Sequence, residues 1–297
     1  MNAVEFKNIH RAYRKGEDVL RGLDLEIPAG QVVGLLGKNG AGKTTLLRIA
    51  MGMLEAQRGE VRVFGLDPRR EPLEVKRRVG YVSEEQILPD FLRTRDLLEL
   101  HRQLYPRWDE DLARQLSAQF DIDPAKRIKK MSKGQARQVA LLCAIAHRPE
   151  LLILDEPAGG LDPAARREFL ETSIRFLNES GSTILFSSHY MSDVERLADR
   201  VVMIHEGGVL VDAQLDSLQE EYSLAMLPDE NGELRQRLRA MEGCLGTRRR
   251  GQALHAVFRL TPETAREALS RELGLENLRC QAIPLEEMFI ELAGGQS

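Results

Sequence analysis

An α/β architecture, with a mostly parallel sheet followed by a small α+β domain, is what the sequence predicts, and three observations predict it. Continuous apolar runs recur at LLIL (151–154), TILFSS (183–188) and VVMIH (201–205), alternating with segments of helical spacing. Strands buried on both faces, in a parallel sheet covered by helices, read this way. A glycine-rich turn, GKNGAGKT (37–44), stands between a strand-like run and a helix-like one. From about residue 221 the pattern weakens into short, mixed segments. A chain of 297 residues is long enough for one large domain and one small one, expected at 1–220 and 221–297.

The elements follow in order. VEFKNI (4–9), VLRGLDLEI (19–27) and QVVGLLG (31–37) read as strands, and a helix is expected from Lys43 to Met53. GEVRVFG (59–65) and VGYVS (79–83) are further strands. Helical spacing then takes over in FLRTRDLLELHRQLY (91–105) and DEDLARQLSAQF (109–120), with Pro106 between them. A helix from Gln135 places Val139, Leu142, Cys143 and Ala146 on one face, so about 90–145 reads as a helical subdomain. EGGVLVD (206–212) reads as a hairpin. Beyond it PDENGE is a loop, QALHAVFRL a strand, PETAREALSRELG a helix and NLRCQAI a strand.

Bulk properties narrow the class. A net charge of −4 supplies no global basic field for nucleic acid or an anionic membrane. The three cysteines, Cys143, Cys244 and Cys280, are scattered, which fits a reducing compartment and neither a disulfide framework nor a zinc site. The start, NAVEFKNI, is strand-like and not a charged-then-apolar signal. The longest apolar stretch is broken by His147-Arg148-Pro149-Glu150, short of the roughly 20 residues a bilayer span needs. The expectation is a soluble, cytoplasmic chain with no direct membrane insertion, whose membrane role would come through a partner.

GKNGAGKT fits the G-x-x-x-x-G-K-S/T phosphate-loop pattern in its required context, strand before and helix after. Gly37, Gly40 and Gly42 let the backbone wrap closely, with Asn39 and Ala41 in the same cradle, so that N–H groups face phosphate oxygens. Lys43 reaches the terminal phosphates, Thr44 offers a hydroxyl to Mg²⁺, and Thr45 adds a phosphate contact. LLILDEP (151–157) is the matching half: a buried strand delivers Asp155 at its carboxyl end, where open α/β sheets bind ligands. Asp155 is expected to hold Mg²⁺ through water, and Glu156 to polarise the attacking water.

A second anion-ready helix start is MSKGQ (131–135), which opens the run QARQVALLCAIA. Read alone it is a helix cap. Taken in order, GKNGAGKTT, MSKGQ, LLILDEP, GGLD and SSH resemble the ATP-binding subunits of ABC transporters over about residues 3 to 218. That resemblance implies a P-loop NTPase domain of the ABC type, comprising a mostly parallel sheet core, an antiparallel β subdomain and a helical subdomain. It implies ATP and Mg²⁺ as ligands and a head-to-tail pair with a second ATPase subunit, identical or paralogous. Ser132, Gly134 and Gln135 would then meet the γ-phosphate of the nucleotide held by the partner. Tyr13 matches the aromatic that stacks on adenine, Asp162 of GGLD the loop at the dimer seam, and His189 of SSHYMSDVE the histidine that contacts the γ-phosphate.

Two positions depart from the family pattern. Lys133 stands where a first glycine is commoner, and Glu84 of VGYVSEEQ where glutamine usually touches Mg²⁺, with Gln86 the alternative. A carboxylate can also coordinate this hard cation. The run LYPRWDEDLARQLSAQFDI and the late PLEEMFIELAGG (284–295) resemble a bacterial branch whose membrane partners are ABC-2-type exporters. This resemblance implies separate permease subunits and a place at the inner face of the cell membrane. A related ATPase acting on ribosomes or DNA would call for two ATPase domains, a long coiled coil or a basic face, and the sequence has none of these. A nucleotide sensor that hydrolyses little is disfavoured by Glu156 and His189, while Glu84 and Lys133 keep it open. The RRR at 248–250 reads as an exposed hairpin.

Overall fold

The computed structural model describes all residues except 15, 85–87, 158, 160–162, 179–180, 229–233, 252, 275–277 and 294–297. The chain divides into two compact units, Met1–Val209 and Leu210–Ser297.

In the first unit β1 (Asn2–Ala12) and β2 (Asp18–Pro28) pair antiparallel, with burial alternating in β2 from Leu23 to Ile27 and register shifts along β1. β3 (Val32–Leu36) is buried throughout and leads through the glycine turn into α1 (Lys43–Ala50). β4 (Arg58–Val63) returns to β1, giving a three-stranded sheet in the order β2-β1-β4. Helix α1 stops three residues short of the expected Met53. Gly52 takes a left-handed φ of 66°, Gly52 N–H donates to the Ile49 carbonyl, and Met53 N–H donates to that of Arg48. This pair of bonds closes a helix wherever glycine can adopt the left-handed turn.

After α2 (Pro72–Arg78) and β5 (Val79–Val82) the chain makes α3 (Thr94–Leu104), α4 (Glu110–Gln119), a 3₁₀ turn (Ile128–Lys130) and α5 (Lys133–Ile145). Leu97, Ile128, Val139 and Cys143 form the small core of this helical region. Helix α5 starts two residues earlier than expected. Ser132 Oγ accepts from Gln135 N–H at 3.2 Å while Gln135 Oε1 accepts from Ser132 N–H at 3.2 Å, a reciprocal capping box.

The chain then returns to the core with β6 (Leu151–Leu154), α6 (Pro163–Asn178), β7 (Thr183–Ser188), α7 (Met191–Leu197), β8 (Arg200–His205) and β9 (Gly208–Gln214). The six-stranded sheet has the order β5-β6-β7-β3-β8-β9, and β5, β6, β7, β3 and β8 run parallel. β6 and β7 are buried at every position, as their unbroken apolar runs require. This order sets the site. The turns leaving β5, β6, β7 and β3 carry Glu84, Asp155, His189 and the glycine loop, and all open at the same carboxyl edge. No helix among the described residues is long and apolar enough to cross a membrane.

The division between the units falls inside β9, ahead of the boundary at 220 read from the sequence. In the second unit α8 (Leu218–Glu221) precedes β10 (Ser223–Pro228), α9 (Leu234–Ala240), β11 (Cys244–Arg250), β12 (Ala253–Phe258), α10 (Pro262–Leu273), β13 (Arg279–Ala282) and α11 (Leu285–Ala293). From β10 to β13 this is β-α-β-β-α-β, with the antiparallel order β11-β12-β10-β13, the split βαβ arrangement. Leu254, Ala256 and Phe258 of β12 share a core with Leu238 of α9 and Leu269 of α10. On the other face His255 meets Glu291 of α11 at 3.2 Å. The RRR run lies in β11, the partner of β12 across a tight turn at Gly251.

Candidate functional site

The cradle begins where β3 ends. Gly42, the N-cap of α1, has a φ of 108°, and a Cβ there would lie 2.7 Å from Leu20 Cδ2 and 3.1 Å from the Val19 carbonyl. Only glycine fits both the backbone and the space. Lys43, 5% exposed, donates to the Gly37 carbonyl at 2.8 Å, so its ammonium folds back over the loop. Thr45 is also buried, and its hydroxyl meets Tyr13 Oη at 3.1 Å. That bond moors an otherwise exposed phenol at the cleft edge, with the Arg11 guanidinium 5.3 Å from its ring centroid. Tyr13 is therefore not a core residue, and its ring is available for stacking.

Asp155 is 0% exposed. Its main-chain N–H donates to the Val82 carbonyl at 2.8 Å, and its Oδ1 accepts from Thr44 Oγ1 at 3.0 Å and Ser187 Oγ at 2.8 Å. Burial pushes its carboxyl above the usual carboxylate range, against those two donors, and the neighbouring Glu156 charge pushes the same way. Oδ2 is buried with no hydrogen-bond partner. A bare acid oxygen beside a threonine hydroxyl is the donor set a hard divalent cation takes, so the residues fit Mg²⁺.

Glu156 has a left-handed φ of 45°, rare for a residue with a side chain. Its N–H donates to Ser187 Oγ at 2.8 Å, which ties one serine to both acids. Its Oε1 lies 3.4 Å from Lys43 Nζ, and its Oε2 is 2.7 Å from His189 Nδ1. For that last bond Nδ1 carries the proton, which leaves Nε2 as an acceptor. His189 is held from behind. Its ring packs on Tyr190 with centroids 4.0 Å apart, and the Arg166 guanidinium lies 3.8 Å over Tyr190 while pairing with buried Asp193 at 3.0 Å.

The structure thus brings Tyr13, Asn39, Gly40, Lys43, Glu156 and His189 around one open cleft, and Glu84 is an exposed part of its wall. Gly42, Thr44 and Thr45 also line it, while Gly37 enters through its carbonyl and Ala41 through an N–H to the Lys38 carbonyl at 3.1 Å. Ser132, Gly134 and Gln135 do not line this cleft. Ser132 and Gln135 are exposed at the start of α5. Asp162 and Gln86 lie outside the described residues. Sequence reasoning assigned no role to Ser187, Arg137, Arg166 or Asp193. Ser187 stood in the quoted SSH run, but its value comes from the register that sets β7 beside β6. The arrangement can hold a polyphosphate and a divalent cation, and it sets a carboxylate to take a proton beside them.

A family model described as ABC transporter matches residues 20–159. Over 296 residues the chain is 29% identical to the ABC transporter ATP-binding protein YtrB of Bacillus subtilis (strain 168), covering 99% of each. It is 32% identical over 212 residues to the linearmycin resistance ATP-binding protein LnrL of the same organism, covering 70% of this chain and 68% of that one. Among solved structures it is similar to an ATP-binding subunit of an ABC transporter, with a TM-score of 0.66, 29% identity, and coverage of 73% of this chain and 92% of the other.

Proposed function

Because the chain belongs to the ABC transporter ATP-binding proteins and is an ATPase, we propose that it works as one half of a head-to-tail ATPase pair driving an exporter whose membrane subunits are separate chains. The observation that carries this reading is the second anion-ready helix start. The Ser132–Gln135 capping box is exposed and stands outside the cleft of its own chain. A helix N-terminus offers unpaired N–H groups and a positive dipole end. A second copy, or a paralogue, places the cleft's phosphate opposite it. Export is favoured by the likeness to a resistance protein and to the ABC-2 branch, and the chain itself supplies no spanning helix among its described residues. The complex would sit at the inner face of the cell membrane.

Hydrolysis follows from the cleft. Lys43 Nζ turns from the Gly37 carbonyl to the terminal phosphate. Thr44 Oγ1 and Asp155 would hold Mg²⁺, with Glu84 at the cleft wall as a further oxygen. Mg²⁺ supplies charge neutralisation on the phosphate oxygens. Glu156 Oε1 takes a proton from the attacking water as the new O–Pγ bond forms and the bond to the β-phosphate oxygen breaks. His189 fixes the other carboxylate oxygen. Tyr13 stacks on the base.

The test mixes two inactive variants. Ser132→Arg blocks the exposed helix start, and Lys43→Ala empties the cradle. Each alone is expected to lose roughly 10²-fold or more in rate, as when one oxyanion contact is removed. A mixed dimer rebuilds one intact shared site, so the mixture regains activity. No recovery where subunit exchange is demonstrated by cross-linking removes the shared-site reading. A polytopic membrane protein co-purifying with the tagged chain is the expected sign of the separate exporter subunits.

A further inference from the structure

Arg137 lies on α5, two residues past the MSKGQ turn. It is 9% exposed, and its hydrogen bonds go to main-chain carbonyls of two other segments. Nη1 donates to Pro157 O at 3.0 Å and to Gly159 O, and Nη2 donates to Glu84 O at 2.9 Å. One fork therefore joins the helix that begins at Ser132, the turn that follows Glu156 and the loop that carries Glu84. Burial pulls the guanidinium below its ordinary range while the Glu84 charge opposes that pull, and it stays protonated at neutral pH.

The turn it grips holds the strained residue. Glu156 keeps its left-handed φ of 45°, and its carbonyl accepts from Gly159 N–H at 3.1 Å. Such a backbone persists only where its surroundings over-determine it. Within this turn the carbonyls of Pro157 and Gly159 are both fixed by Arg137. We propose that Arg137 is a positioning residue for hydrolysis: it holds the turn that aims the Glu156 carboxylate, and it makes that turn, the Glu84 loop and the Ser132 helix move as one. It is not among the residues that line the phosphate cleft. It acts through Glu156, and it links the placement of the exposed helix start to the readiness of the base. A planar, five-donor fork suits this role, and a lysine ammonium on a flexible stem does not.

The inference rests on Glu156 being the base, and its test separates the two. The full-length chain is assayed for ATPase rate over a range of MgATP, with equilibrium ATP binding measured in parallel. Arg137→Gln is expected to lower kcat roughly 10- to 100-fold, the size of a base misplaced by about 1 Å, with KM and ATP affinity within about threefold. Arg137→Lys falls between it and the wild type. Millimolar guanidinium, below denaturing concentration, restores part of the rate in Arg137→Ala, and urea at the same concentration does not. If Arg137→Gln does not fold, Arg137→Lys gives the same split of kcat from KM. Wild-type kcat in Arg137→Gln, or equal losses in kcat and ATP affinity, overturns the proposal. A Glu156→Gln protein that turns over at the wild-type rate instead removes the base itself.

Discussion

Asp155 carries an ionisable group to full burial with donors on only one of its two oxygens. Its folded pKa lies above the unfolded value of 3.8. Between those two values the native state keeps a proton that the unfolded chain has lost, so stability falls as pH rises through that window and the full cost stands above it. Asp155→Asn is therefore expected to stabilise the metal-free protein at pH 7, because it removes the charge that burial disfavours. The same change is expected to abolish Mg²⁺-dependent ATPase. Denaturant midpoints in chelator at pH 7 and near pH 4 check it, with the gap between the two proteins shrinking at the lower pH. A gap of equal size at both pH values contradicts the assignment of the cost to ionisation. At this scale the sequence was readable where the candidate site residues are contiguous. Lys43, Thr44, Asp155 and Glu156 occupy fixed places in a strand-turn-helix or at a strand end. Ser187 was not readable as a partner of both acids, because only the register of β6 against β7 makes it one. Arg137 and Asp193 act across loops, and no local spacing encodes those partners.

Helices α3 and α5 are joined by one stacked pair. His147, just past the end of α5, lies against Tyr105, the C-cap of α3, with ring centroids 4.1 Å apart. Burial pulls its imidazole down to about 4 from an ordinary 6.5. The unfolded chain thus binds more protons between those values, and stability is lost as pH falls from 6.5 towards 4, by roughly 3 kcal/mol in full. His147→Phe keeps the stack and removes that slope. Its unfolding midpoint at pH 5 is expected to exceed that of the wild type by more than it does at pH 7.5, and parallel curves would show that the imidazole is not what acid attacks. The type of most elements in the first unit was legible, while their ends were less so. Gly52 is a stop signal for α1 that helical spacing alone runs past, and Ser132 with Gln135 is the start signal for α5. β10 is not legible in the sequence, because SLAMLP is short, is buried on both faces and carries no alternation.

Every described residue of the phosphate cleft precedes Val209, and the second unit has its own core. A chain ending after Gln214 keeps β9 and with it the whole six-stranded sheet. It is expected to fold and to bind ATP within about twofold of the full chain, roughly 0.5 kcal/mol, the additivity limit for distant sites. Equilibrium binding measures this, and a folded, shortened protein that fails to bind would tie the second unit to the nucleotide. The division at Val209/Leu210 falls inside the strand β9, where no compositional break marks it in the sequence. The sheet order also bears on how the molecule is made. β3, the strand VVGLL that launches the cradle, lies between β7 and β8, and its first partner is synthesised roughly 150 residues later. At about 5–20 residues per second, translation leaves this wholly apolar strand without its sheet neighbours for about 8–30 s. During that interval the nascent chain carries an apolar segment without its sheet partners, so the cradle that β3 launches is completed only after β7 and β8 have been made.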